Sequence, residues 1–396
     1  MSRTRSPLAV LALLGVAACN TQGDAPPPAA VSVLERPLAP AGGTVIAVDA
    51  SLRQRMQLLF ARALEDDQAF ATLADLLRSA PKRLSGSAGA ADAVAWAQAR
   101  MQALGLQNVR REACVVPCWV RGTETARVVA PNALPLRITA LGGSIATPND
   151  GLAAELIEVR SFEQLQQLGE QARGKIVFFN RPMPRVLRRT GLAYGEAVPQ
   201  RTSGAIEAGK VGAVAALVRS VTTAIDEFPH TGAMQYDDAV PKVPAAAVCT
   251  ADAEALAKLL QQGPVRVELQ LGCETRPDVE SANVVGEIRG RVHPEEVVVI
   301  GAHLDAWDLG DGAQDDGAGC AHVLEAMRLL QVCGIAPRRT IRAVLFMNEE
   351  NGLRGAEAYA LQHAAEVHAA AIETDSGGFT PEGFTCSLQD EAAAAL

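Results

Sequence analysis

Three apolar runs in the last third of the chain each end on acid, and this pattern constrains the fold more than any other feature. VVVI (297–300) leads to His303 and Asp305, TIRAVLFM (340–347) to Glu349 and Glu350, and HAAAIE (368–373) to Asp375. Each run has the length of a buried strand, and helical patterns over 317–332 and 352–366 separate them. With NVVGEI (283–288) in front, the order is that of an α/β sheet. Ligands of open α/β sheets bind in the crevice beyond the carboxyl ends of the strands. Separate loops are therefore expected to deliver a histidine and several carboxylates to one place.

The stretch after VVVI, GAHLDAWDLGDGAQDDG (301–317), packs one histidine and five aspartates beside a core strand. Carboxylates there need a cation, an arginine or a proton. The only basic residue nearby is the histidine, so a bound metal is the first expectation. Taken singly, each motif has a plainer reading. HLD suits a satisfied core pair, Glu349 and Glu350 suit a helix N-terminus, and Asp315 and Asp316, between Gly312 and Gly317, suit a loop and helix cap. Their convergence at successive strand ends favours the metal.

At 396 residues the chain exceeds the size of most single cores, so two domains are expected. Net charge of −9, without clustered Lys or Arg, excludes a nucleic-acid surface. Residues 1–19, MSRTRSPLAVLALLGVAAC, read as a signal peptide whose apolar run is too short to span a bilayer. Their ending is similar to a bacterial lipobox, with Cys19 the lipidated residue and the sole route to a membrane. The proline-bearing residues 20–43 read as a flexible tether. The expected location is the periplasm or outer membrane as a lipoprotein, or outside the cell.

Setting Cys19 aside leaves seven of the eight cysteines, an odd number for an oxidising compartment. Cys114 and Cys118 are about 13 Å apart if the segment is extended, too far for a disulfide without a bulge. Cys320 and Cys333 fall on a helical pattern and read as packing residues. Residues 51–79 are helix-like, and a second helix with Val94, Ala97, Met101 and Leu104 on one face stops at Gly105. From about 126 to 275, short apolar runs alternate with Gly- and Pro-bearing turns. This reads as an inserted, mostly β domain, dividing the other domain into 44–125 and 276–396.

The set HLDAWD, QDDGAG, MNEENG and ETDSGG resembles the co-catalytic di-zinc exopeptidases, most closely the plasma glutamate carboxypeptidase (carboxypeptidase Q) branch. The resemblance takes in RLSGS, WAQARMQALGLQNVRRE, VPCWVRGTE and HTGAMQYDDAVPKVPAAAV, and covers about 50 to 380. It implies an α/β zinc-exopeptidase sheet flanked by helices, with the insert, which contains GKIVFFN, similar to a protease-associated domain. It further implies metal ligands at His303, Asp315 (bridging), Glu350 and Asp375, Glu349 as general base, and Asp305 as the carboxylate orienting His303. The Asp315–Asp316 peptide bond is implied to be cis.

The substrates implied are dipeptides or short peptides, and the insert is expected to shape either the substrate cleft or a homodimer interface. The family pattern has one more histidine downstream, whereas no histidine follows Asp375 here. The expectation is therefore an incomplete C-terminal part and one zinc instead of two. His363 and His368 read as surface residues and His322 as structural. Two rival readings accompany this one. The first is a catalytically inactive binding protein resembling the transferrin receptor; the second is a single-zinc acyltransferase resembling glutaminyl cyclase.

Overall fold

A computed structural model describes residues 49–185, 190–375 and 377–379. The leader, Cys19 and the tether lie outside the described residues, as does Cys386. Helices α1 (Ala50–Ala63), α2 (Gln68–Ser79) and α3 (Ala88–Ala103) come first, then strand β1 (Gln107–Val120). Ser87 caps α3 by accepting from the Ala90 amide, and Gly105, at φ +70°, ends it in the left-handed region. Next come β2 (Glu124–Ala130), β3 (Leu134–Leu136), β4 (Ile138–Ala140), β5 (Leu152–Val159), α4 (Phe162–Leu168) and β6 (Ile176–Phe179). They are followed by α5 (Thr190–Ala197), α6 (Pro199–Thr202), α7 (Gly204–Lys210), β7 (Ala215–Arg219), β8 (Ala245–Val248), α8 (Thr250–Leu260) and β9 (Arg266–Leu271). The last part holds β10 (Glu274–Ile288), β11 (His293–His303), α9 (Ala318–Val332), β12 (Arg339–Phe346), α10 (Arg354–Gln362) and β13 (Val367–Glu373).

Two sheets result. One has the order β1-β10-β12-β11-β13, with β12, β11 and β13 mutually parallel. The other has the order β3-β2-β9-β5-β6-β7-β8-β4. The segment expected to be mostly β also carries the helices α4 to α8. The reason is topological: β5, β6, β7 and β8 are parallel, and parallel neighbours need crossovers. β1 and β10 run antiparallel along their length, with Val120 opposite Glu274. The chain thus leaves and re-enters the first sheet at neighbouring points, which lets the second sheet sit between them without disturbing the first.

Around β12 both faces of the five-stranded sheet are covered, which explains the apolar run from Ala343 to Phe346. Ala343 and Leu345 face the core built with α2, α3 and α9, including Leu76, Ala97, Met101, Val323 and Met327. Val344 and Phe346 face the other way, against Ala356 and Tyr359 of α10. At about 1.5–3 kcal/mol per buried aliphatic or aromatic side chain, these two layers fix where the strand ends fall. Cys114 and Cys118 are both on β1, buried and unpaired, with a register shift between Val116 and Cys118. Cys320 is buried in α9, whereas Cys333 caps its end and is partly exposed. Among the described residues no helix is long and apolar enough to cross a membrane.

Candidate metal centre

His303 is the last residue of β11, and its ring is fully buried. Nδ1 lies 3.0 Å from the Asp305 carbonyl oxygen, which can only accept, so Nδ1 carries the proton. Nε2 faces Asp315 Oδ1 at 2.9 Å, Asp375 Oδ1 at 3.3 Å and Glu349 Oε2 at 3.9 Å. The strand order explains the meeting: β13 and β12 flank β11 in parallel, so Asp375 and Glu349 emerge beside His303 from the same sheet edge. Asp315 arrives from the turn before α9, and its peptide bond to Asp316 is cis. Ligand atoms of His303, Asp315 and Asp375 all lie within 4.8 Å of one another.

Asp305 departs from expectation. Its carboxylate is 3.9 Å from His303 Nδ1, beyond hydrogen-bond range, and the backbone carbonyl orients the ring instead. The carboxylate accepts from the amides of Glu349 at 3.0 Å and Glu350 at 3.4 Å. It therefore ties the loop after β11 to the loop after β12. Glu350 stands outside the His303 trio, and its Oε1 accepts from the Trp307 amide at 3.2 Å.

The electrostatics show a cluster short of positive charge. Among the described residues no Lys or Arg side chain bonds Asp305, Asp315, Asp316, Glu349, Glu350 or Asp375. Burial pushes Glu349 up to about 7, opposed by His303 and aided by Asp375 and Asp305. Part of its surroundings is a cavity walled by Phe346, Met347, Leu353 and Ala356. Burial and the charge of Asp315 hold Glu350 well above the usual carboxylate range. Burial disfavours the His303 imidazolium, but its contacts with Asp315 and Asp375 overcome this and hold the ring well above its usual pKa. Imidazole and carboxylate oxygens converging without a counter-ion are a donor set that fits a divalent zinc-type ion.

Several residues that build the site are given no part in it by the sequence reading. Asp316, read as part of a loop and cap, is fully buried and accepts from the His303 amide at 3.0 Å and the Gly319 amide at 2.9 Å. Burial pushes it up to about 8. Asn348, at φ +71°, sends Nδ2 to Ser85 Oγ and Asn351 Oδ1, fixing the turn that carries Glu349. Arg83 is fully buried under the loop from 304 to 312. The signal available for Arg83 and Ser85 was the motif RLSGS itself. Arg121 grips the same loop from the other side through Asp308, and Trp307 fills the space beside Gly142, where any Cβ would collide with its ring.

His363 corrects the expectation of a surface residue. It is buried, with Nε2 3.0 Å from Glu112 and Nδ1 2.9 Å from Glu366. His368 is half-buried against Tyr359, 3.1 Å from its hydroxyl. His322 is exposed on α9, with Nδ1 3.2 Å from Thr374 Oγ1.

Residues 283–396 match the family described as Peptidase family M28. Carboxypeptidase Q of Mus musculus is 40% identical over 333 residues, 83% of this chain and 69% of the mouse protein. The Homo sapiens protein of that name is 38% identical over the same extents. Among solved structures, a peptidase M28 precursor from Shewanella amazonensis SB2B is 39% identical with a TM-score of 0.79, covering 82% of this chain and 74% of that one. An aminopeptidase from Aneurinibacillus sp. strain AM-1, 20% identical with a TM-score of 0.55 over 78% and 69%, shares the fold.

Proposed function

Because the chain belongs to peptidase family M28 and is a metallopeptidase similar to carboxypeptidase Q, we propose that it is a zinc-dependent exopeptidase of dipeptides or short peptides. The observation that carries this reading is the convergence of His303, Asp315 and Asp375 on one point with, among the described residues, no Lys or Arg side chain bonded to them. These three would hold one zinc, and Asp315 with Glu350 would be the donors for any second. Zinc there supplies a Lewis acid that lowers the pKa of water and polarises a peptide carbonyl.

The chain's own residues do the rest. Nδ1–H of His303, fixed on the Asp305 carbonyl, leaves Nε2 facing the carboxylates, where it would bind zinc on losing its proton. Glu349 stands next to the trio without belonging to it, and is the general base that takes a proton from water and returns it to the leaving amine. Asp305 holds the Glu349 and Glu350 backbones in place. Export follows from the leader-like residues 1–19, with Cys19 as the lipid-bearing position, and the insert between β1 and β10 is read as a protease-associated domain bordering the cleft. The test is hydrolysis of a dipeptide panel, read by mass spectrometry, before and after removal of zinc with a chelator. Turnover lost on chelation and restored by zinc is the expected result. Zinc-loaded protein without turnover, or turnover indifferent to chelation, overturns the reading.

A further inference from the structure

Among the described residues Arg83 is the one fully buried arginine beside the acidic cluster, and it hydrogen-bonds none of the carboxylates. Its Nε donates to the Leu304 carbonyl at 2.7 Å, Nη1 to the Asp311 carbonyl at 2.7 Å and Nη2 to the Gly312 carbonyl at 2.6 Å. Its own carbonyl accepts from the Ala306 amide at 3.3 Å. These partners sit at the two ends of one loop. Leu304 adjoins His303 and Asp305; Gly312 leads to Asp315. The Gly312 carbonyl also accepts from the Gly317 amide at 3.0 Å, closing the turn that bears Asp315 and Asp316.

The surroundings are shaped to this guanidinium. Gly312 has φ +63°, and a Cβ there would lie 2.7 Å from Arg83 Nη2 and 2.3 Å from the Ala306 Cβ. Burying a guanidinium is costly, and three backbone carbonyls alone do not neutralise it.

We propose that Arg83 is a positioning residue for the metal centre: its planar fork fixes the separation of the loop ends that carry His303 and Asp315. The proposal rests on the zinc reading above. Lysine cannot reproduce it, because a point charge on a flexible stem does not satisfy three carbonyls in fixed directions.

The experiment uses the full chain as wild type, Arg83→Lys and Arg83→Met. Zinc affinity is measured by competition with a chromophoric chelator, ligand geometry by the visible spectrum of the cobalt-substituted protein, and kcat and KM on a dipeptide. Arg83→Lys, which keeps charge and approximate size, is expected to fold and to bind zinc about 10- to 100-fold more weakly. Its cobalt spectrum should be altered, and its kcat reduced with KM little changed. Arg83→Met should lose more zinc affinity than Arg83→Lys; if it does not fold, Arg83→Lys decides alone. Wild-type zinc affinity and cobalt spectrum in Arg83→Lys, with only a lowered melting temperature, would make Arg83 a core filler and overturn the proposal. Wild-type protein that takes up neither metal overturns the zinc reading and this proposal together.

Discussion

The five-stranded sheet carries two groups of carboxylates, each only partly buried, and they are solved in opposite ways. Over β1, β10 and β12, Glu112, Glu287 and Glu366 are met by Arg110, Arg342 and His363, with contacts of 2.5 Å from Arg110 to Glu112 and 2.7 and 2.6 Å from Arg342 to Glu287 and Glu366. Tyr359 adds a hydroxyl 3.0 Å from Arg342. At the carboxyl edge of β11, β12 and β13, six carboxylates gather around His303, and among the described residues no Lys or Arg side chain bonds any of them. The first group is a closed network that stabilises the sheet. The second has no such Lys or Arg partner among the described residues, and that deficit is what the zinc reading rests on.

Four outcomes sharpen or break this contrast. The largest belongs to Glu349→Gln: turnover should fall about 10²- to 10⁴-fold while zinc per chain is unchanged, checked by steady-state kinetics with metal analysis. Zinc lost along with activity would make Glu349 a ligand. Next, Arg342→Met leaves the buried Glu287 without its closest partner and should cost about 3–5 kcal/mol in urea unfolding, with zinc affinity intact.

Third, the two groups should answer pH with opposite signs in zinc-free protein. Asp316 is raised to about 8 by burial, so its contribution is full below its unfolded pKa and is lost as pH rises toward 8, a change of about 2 kcal/mol or more. In the other group, Glu366 is held below its usual pKa because hydrogen bonds from Arg342 and His363 overcome burial, so its contribution is present above its unfolded pKa and is lost as pH falls. Unfolding free energy from pH 4 to 8 checks this, and Asp316→Asn should flatten the alkaline limb. The smallest effect is a control outside both groups. Ser87→Ala removes the α3 cap and should cost about 1 kcal/mol without touching zinc binding or the pH response.

What the sequence reveals follows the distance over which a residue acts. The strands around His303, Glu349 and Asp375 are legible because apolar periodicity and the acid that ends each run are local signals. β13 and the parallel order place the three together, as the alternation of strand and helix implies. Residues that act across the chain are not legible. Arg83 reaches Leu304 over 221 positions, and His363 reaches Glu112 over 251. Nothing local marks His363 as buried, since its partner strand lies on the far side of the insert. Asp305 shows a finer limit: its proximity to His303 is evident, but which of its oxygens faces the imidazole depends on where the amides of Glu349 and Glu350 fall.

The contrast itself is tested most directly by zinc content after exhaustive dialysis of three proteins: the wild type, His303→Ala and Glu112→Gln. Wild type and Glu112→Gln should retain zinc and His303→Ala should lose it, because the proposed zinc site lies at the uncompensated edge. A wild-type chain that emerges without zinc, or a His303→Ala chain that retains as much as wild type, would contradict the account.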